Sequence, residues 1–340
     1  MTSGPGVDRH DTLLPCAGKR RRRWRLGLAA LLLCTLPPLA AAPLDVFVSV
    51  LPLATFAERV GGERVQVHTM VQPGHSPATY EPTPRQITAL ANADLYLRVG
   101  VPFEDAWMKR IRATNPDMPV VDLREGLSLR RQEAHRHGAA GGDDHGAQAH
   151  EHGPLDAHVW TSPRLVRQMA ETMRAAFTEL DPAGAVTYAE QQAAFDAELA
   201  ALDAQLQARL HGLANRRFLV YHPAWGYFAD AYGLTQIPIE QEGKEPGARR
   251  LTALIEQARA EGARVILVQP QFDQRAAAQV ARAIDGRVEP VDPLSPEYAA
   301  TLRRLADILM AADAGTAAGA PKAAHREQAP REQAPREQTP

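Results

Sequence analysis

Ala185 to Leu213 reads AVTYAEQQAAFDAELAALDAQLQARLHGL, a proline-free stretch with apolar side chains recurring at helical spacing. A helix of that length runs about 40 Å at 1.5 Å per residue, enough to traverse a whole domain. It reads as a rigid strut, and the chain on either side of it carries the same alternating pattern. Upstream, Asp45 to Val50 (DVFVSV), Val65 to Val71 (VQVHTMV), Asp94 to Val99 and Pro119 to Asp122 are short β-rich runs. Helical patterns separate them, including Leu53 to Val60 and Phe103 to Thr114. A further helix, Pro163 to Leu180, is expected to start on a capping hydroxyl in Thr161-Ser162-Pro163. Downstream, strands are expected at Arg217 to Tyr221, Gln236 to Glu240, Arg264 to Gln269 and Arg287 to Val291, with a last helix from Pro296 to Ala312. Strands that alternate with helices imply parallel sheets covered on both faces. The expected fold is therefore α/β, with two (β/α)4-type lobes joined by a long rigid connecting helix. The lobes fall at residues 43–180 and 215–312, and the connecting helix at 181–214.

With 340 residues, 45% of them hydrophobic and 23% charged, the chain can build two packed domains. A net charge of −2 gives no reason to expect nucleic acid as a partner. Residues 1–42 read as an export signal. Lys19 to Arg25 (KRRRRWR) is basic, Leu26 to Leu36 is apolar but short for a bilayer span, and Ala40-Ala41-Ala42 offers small residues for cleavage. A lipoprotein anchor at Cys34, a twin-arginine route and a retained membrane anchor are the competing readings. Cys16 and Cys34 are the only cysteines and both lie in this segment, so an exported mature chain brings no thiolate to a metal. The end of the chain, 313–340, repeats Arg-Glu-Gln-Ala-Pro from Arg326, has little to bury and is expected to be disordered.

Twelve histidines are the unusual part of the composition. His135, His137, His145, His150 and His152 crowd a Gly-, Ala- and Asp-rich loop, 133–154, which reads either as a loose metal-capture segment or as a solvated insertion. Four other residues are more telling. His75 follows the second strand, His158 precedes a helix start in Asp156-Ala157-His158-Val159-Trp160, His222 closes Phe218-Leu219-Val220-Tyr221, and Asp292 follows Val291. Ligands of open parallel sheets bind outside the carboxyl ends of strands, where three of these four fall. Each residue alone also fits a structural role, as a hydrogen-bonded histidine or a turn-starting Asp-Pro. Together, three imidazoles and a carboxylate suit tetrahedral zinc.

At these positions the chain resembles the cluster A-I solute-binding proteins, metal receptors of zinc and manganese ABC transporters, and within them the zinc-specific ZnuA type. The resemblance covers Leu44 to Ala312 and rests on separated motifs in order. They are Pro73-Gly74-His75-Ser76-Pro77-Ala78-Thr79-Tyr80-Glu81-Pro82, Asp156 to Pro163 after a His-rich insert, Tyr221 to Phe228, Glu242 to Pro246, and Val291-Asp292-Pro293-Leu294. It implies metal ligands at His75, His158, His222 and Asp292. One departure stands out: many members carry a ligand histidine where this chain has Ala78, so either the loop is re-routed and His75 is the first-lobe ligand, the reading taken here with Glu81 as the fallback, or the site has lost a first-lobe ligand. Asp156, Trp160, Tyr221, Glu240 and Glu242 are candidates for holding the imidazoles in orientation.

The implied function is a periplasmic, monomeric, non-enzymatic receptor that captures Zn2+ (Mn2+ fits the nitrogen donors less well) in the cleft between lobes and passes it to a membrane permease. Two other readings compete. A zinc buffer or adhesin would act through the His-rich loop, and a secreted zinc hydrolase would need an open coordination position and a general base.

Overall fold

Eight short strands form two separate four-stranded sheets, and every pairing is parallel. The computed structural model describes residues 42–131, 155–240 and 244–319. The leader, the His-rich segment with its five histidines, Glu242 and the repeated tail from 320 lie outside the described residues. The chain divides into two units after Ala42, and the fold belongs to the second, from Pro43 onward.

In the first half the elements run β1 (Leu44–Val48), α1 (Leu51–Gly61), β2 (Val65–Thr69), α2 (Pro84–Leu90), β3 (Leu95–Arg98), α3 (Pro102–Thr114) and β4 (Val120–Asp122). Two long helices follow, α4 (Pro163–Leu180) and α5 (Ala185–Leu210). The second half repeats the alternation as β5 (Arg217–Val220), α6 (Gly226–Tyr232), β6 (Thr235–Pro238), α7 (Ala248–Ala260), β7 (Val265–Val268), α8 (Arg275–Ala283), β8 (Arg287–Pro290) and α9 (Tyr298–Gly319). Strand order is β2-β1-β3-β4 in one sheet and β6-β5-β7-β8 in the other. Each sheet therefore has a switch point, between β1 and β3 and between β5 and β7, where crossovers leave on opposite sides and a crevice opens at the carboxyl ends.

The helix starts show local chemistry at work. Thr83 accepts from the Gln86 backbone N–H while the Gln86 side chain reaches back to the Thr83 backbone, a reciprocal box that opens α2. At α4 the expected capping hydroxyl is not used. Pro163 sits in the first turn, the Ser162 side chain makes no capping bond, and the neighbouring Thr161 hydroxyl donates to the His158 carbonyl at 2.9 Å. Proline supplies the helical φ there without needing a cap. Helix α5 ends at Leu210, just before His211-Gly212, whereas α9 runs past Ala312 to Gly319. Its alanine-rich sequence Ala311-Ala312-Asp313-Ala314-Gly315-Thr316-Ala317-Ala318 favours continued helix.

Helix α5 buries Tyr188, Phe195, Leu199, Leu202, Leu206 and Leu210, one stripe at three- and four-residue spacing. Its first part packs on α1, where Phe56 and Phe195 lie 5.8 Å apart, and its last part packs on α9, where Arg303 donates to Gln205 at 3.2 Å. Alternation along β5 divides the second sheet between two cores. Phe218 and Val220 face the layer that contains α5, α9 and the first half, while Leu219 and Tyr221 face Leu254, Ile266 and Val280 under α7 and α8. A single apolar layer thus runs through both halves. No helix among the described residues is long and apolar enough to cross a membrane.

Candidate metal centre

The carboxyl ends of both sheets face one cavity of about 400 Å³. The first half supplies Ser76 to Ala78 after β2, Gly100 to Pro102 after β3, and Arg124 after β4. The second half supplies His222 after β5, Gln269, Gln271 and Phe272 after β7, and Pro293 and Leu294 after β8. His158, on the segment before α4, completes the wall between them.

Two imidazoles stand on this wall with ring centroids 5.2 Å apart. Each is held by a buried carboxylate through the same ring atom. His158 Nδ1 lies 2.8 Å from Asp156 Oδ1, and Asp156 is 1% exposed. His222 Nδ1 lies 2.5 Å from Glu240 Oε1, and Glu240 is 4% exposed. Because Nδ1 is engaged in both rings, Nε2 is the atom each has to offer a ligand. The rings are also packed in place: His222 stacks on Phe272 at 5.0 Å, and His158 lies 5.2 Å from Trp160, whose Nε1 donates to the Pro293 carbonyl at 2.8 Å.

Asp156 is itself fixed. Burial pulls its pKa upward, but the His158 hydrogen bond and charge, the His158 backbone N–H and Arg130 outweigh this and hold the carboxyl below the usual range. Arg130 Nη1 lies 3.3 Å from Asp156 Oδ2. Tyr227, at the start of α6, donates from its hydroxyl to the Asp156 carbonyl at 2.9 Å and accepts from the Arg130 backbone N–H at 3.1 Å. Burial pushes the Tyr227 phenol up to about 12, so it stays a donor. Gly226 lets α6 approach this group, since a Cβ there would overlap the Arg130 guanidinium.

The other two expected ligands stand apart from the cavity wall. The Asp292 carboxylate accepts from Gln271 Nε2 at 3.1 and 3.0 Å and from the Leu294 backbone N–H at 2.9 Å, and Gln271 rather than Asp292 is among the residues that line the cavity. His75 is exposed, with its ring edge-on to Tyr80 at 5.7 Å and Nδ1 3.3 Å from the Pro73 carbonyl. Its loop turns so that Ala78, not His75, reaches the wall. Glu81, the alternative, is exposed and is not among the lining residues. Among the described residues, no three of His, Cys, Asp and Glu converge as a ready-made cage.

Residues 46–312 match the family described as zinc-uptake complex component A, periplasmic, or ZnuA. The chain belongs to the ZnuA family. It is similar to a solved structure of a ZnuA, at 34% identity and a TM-score of 0.73, covering 80% of this chain and 99% of that one. The iron-binding protein YfeA of Yersinia pestis is 30% identical over 252 residues, 71% of this chain and 75% of that protein. The zinc-binding lipoprotein AdcA of Streptococcus pneumoniae is 26% identical over 275 residues, 79% of this chain. That match covers 54% of AdcA, so the chain spans about half the length of that relative. The family is described as a periplasmic component of zinc uptake, and the two relatives are named as a metal-binding protein and a metal-binding lipoprotein.

In this ZnuA-family chain several residues of the site had no role assigned from the sequence, Tyr227 among them although it lies inside the Tyr221 to Phe228 motif. Arg130 and Tyr227 lie far apart along the chain and become partners only through packing of the two halves. Gln269 and Gln271 could have been found, because they directly follow β7 and so occupy a strand end. Asp156 and Glu240 were candidates for orienting imidazoles, and they do contact them.

Proposed function

We propose that this chain captures Zn2+ in the cavity between its two lobes, through Nε2 of His158 and Nε2 of His222, and delivers it to the permease of an ABC transporter. The observation that carries this reading is the repeated carboxylate–imidazole pair. Two unrelated segments each place a buried carboxylate on Nδ1 of a cavity-facing histidine, which fixes the tautomer and raises the basicity of the other nitrogen, as metal sites do. Nitrogen donors without thiolate suit zinc better than manganese or calcium. Asp292 and His75 are the further candidates for the shell. Asp292 reaches the ion once Gln271 lets go of its carboxylate, and His75 only if the Gly74 to Ala78 loop turns inward. Export of the chain as a monomer, with residues 1–42 removed, places it where such a cargo is met.

Zinc competes with protons for these imidazoles, so binding releases protons and weakens in acid. Calorimetry of the mature protein is expected to give one tight zinc site per chain near neutral pH and at least a tenfold weaker one at about pH 5. Equal affinity at both values would remove imidazole ligation. Removing residues 133–152 should leave that site in place, whereas a buffer acting through the His-rich segment would lose nearly all its zinc. Delivery is tested by growth under zinc chelation of cells lacking their own receptor: the wild type restores growth and the His158→Ala, His222→Ala double variant does not.

Glu240 offers a finer test. Glu240→Gln keeps the shape and the possibility of a hydrogen bond but removes the charge behind His222. It is expected to weaken zinc binding by about 10–100-fold, read by competition against a chromophoric chelator. An unchanged affinity would show that Glu240 serves packing alone.

A further inference from the structure

Gln271 and Asp292 follow neighbouring strands. β8 pairs in parallel with β7, and the Val291 N–H donates to the Val268 carbonyl at 2.9 Å, so the turns beyond the two strands lie side by side. The two oxygens of the Asp292 carboxylate are held differently. Oδ1 accepts from the Leu294 backbone N–H at 2.9 Å, the turn that an aspartate makes with the chain two residues on. Oδ2 has no backbone anchor: among the described residues its partner is Gln271 Nε2 at 3.0 Å, which also reaches Oδ1 at 3.1 Å.

Each of the two turns is also joined to an imidazole of the site. In the turn after β7, Gln269 Nε2 donates to the His222 carbonyl at 3.1 Å, and the Phe272 ring stacks on the His222 imidazole at 5.0 Å. In the turn after β8, the Pro293 carbonyl accepts from Trp160 Nε1 at 2.8 Å, and the Trp160 ring lies 5.2 Å from His158. Asp292 is therefore carried on a turn anchored to the His158 segment, and its partner amide on a turn anchored to His222. Gln271 itself lines the cavity, which leaves its side chain room to turn away.

We propose that Gln271 is a latch on Asp292: it holds the carboxylate before the metal arrives and yields it to Zn2+, so that the strength of this one contact sets the zinc affinity. The proposal rests on zinc ligation by His158 and His222. Oδ2 is the oxygen that turns to the ion, while Oδ1 keeps the Leu294 N–H. Asp292 then serves only in the fraction of molecules whose latch is open, and apparent affinity is weakened by that fraction. A neutral amide suits this task. A lysine or arginine in its place would grip the carboxylate as an ion pair and set a like charge against the metal. A side chain with no donor would leave the carboxylate free and make the cargo harder to give up.

The test measures the zinc affinity of the mature chain, by competition against a chromophoric chelator, in wild type, Gln271→Leu, Asp292→Ala and the variant carrying both changes. Gln271→Leu is expected to bind zinc about ten- to a hundredfold tighter than wild type, the worth of one hydrogen bond to a charged group. Asp292→Ala is expected to bind about tenfold weaker, the worth of a ligand less the cost of opening the latch. Adding Gln271→Leu to Asp292→Ala should change nothing, because the latch has lost what it holds. Gln271→Asn, which draws the amide back by one methylene, should also bind tighter than wild type and decides the matter if Gln271→Leu does not fold. Unchanged affinity in Gln271→Leu overturns the proposal. Weaker binding overturns it too, because Gln271 would then be steadying Asp292 on the metal. So does an equal gain in the Asp292→Ala background, or wild-type affinity in Asp292→Ala itself. Each of these results leaves the imidazole pair standing. The zinc reading fails instead if the His158→Ala, His222→Ala double variant binds zinc like wild type, and the latch fails with it.

Discussion

His222→Ala is expected to weaken zinc binding by roughly a hundred- to a thousandfold. Structural zinc sites release about 10–16 kcal/mol on binding at neutral pH. Shared over four ligands, that is about 3–4 kcal/mol each, or two to three factors of ten. His158→Ala should do the same, since the two rings occupy equivalent positions with equivalent carboxylate supports. His211, exposed just past the end of α5, is the control, and His211→Ala should bind zinc as the wild type does. Calorimetry on the purified mature variants reads both outcomes. Retained affinity in His222→Ala would move the zinc site out of this cavity.

The second large effect concerns stability. Glu104 is 0% exposed in the first turn of α3, and its two oxygens satisfy a cluster at the carboxyl ends of β1 and β3. Oε1 accepts from the Val99 backbone N–H at 3.0 Å and from the Ser49 hydroxyl; Oε2 accepts from the Gly100 N–H at 2.7 Å and from Arg98 Nε at 3.1 Å. Glu104→Ala leaves these buried donors without an acceptor. The expected loss is about 3–5 kcal/mol, a fall in Tm of roughly 10 °C at about 2–4 °C per kcal/mol. Arg98 moderates the loss, since Asp105 and Asp122 lie 3.6 and 3.7 Å from it. Because Gly100 also lines the cavity, zinc affinity should fall with stability. A melting temperature within a degree or two of wild type would show that the cluster is hydrated instead.

Glu104 also has a pH signature. Burial raises its pKa above the usual carboxyl value, against the opposing pull of Ser49, the two backbone N–H groups and Arg98. A carboxyl whose folded pKa is raised binds its proton more tightly in the native state. Its contribution to stability is therefore fully present below the unfolded pKa, about 4.3, and is lost as pH rises through the folded value. Asp156 acts in the opposite direction: its lowered pKa gives stability at neutral pH that is lost in acid.

The architecture was legible because it is written in periodicity. All eight strands fall within a residue or two of the expected runs. Inner strands such as β3 and β7 are buried on both faces and so are short apolar runs. The partly buried edge strands β2, β4 and β8 show themselves by β-branched residues and by alternation with helices. The site was legible only where a residue sits at a strand end or a helix start. His222 and His158 are on the cavity wall for that reason. Loop direction was legible only through the resemblance, which puts a ligand histidine at the position of Ala78; the reading that His75 takes over that place is not what the loop does, since Ala78 and not His75 lines the cavity. Nor could the sequence show that the Asp292 carboxylate is occupied by Gln271, because that contact is decided by how β7 and β8 lie side by side.

The apolar layer that threads α5, α9 and both sheets has a consequence for recognition. On the proposed function, two halves bonded through a common interior are expected to keep nearly the same outline whether the cleft is loaded or empty. A partner that must distinguish a full carrier from a spent one then has little silhouette to read. The message has to be carried at the mouth of the cavity, in the posture of a few side chains such as Gln271 and the loop bearing Ala78.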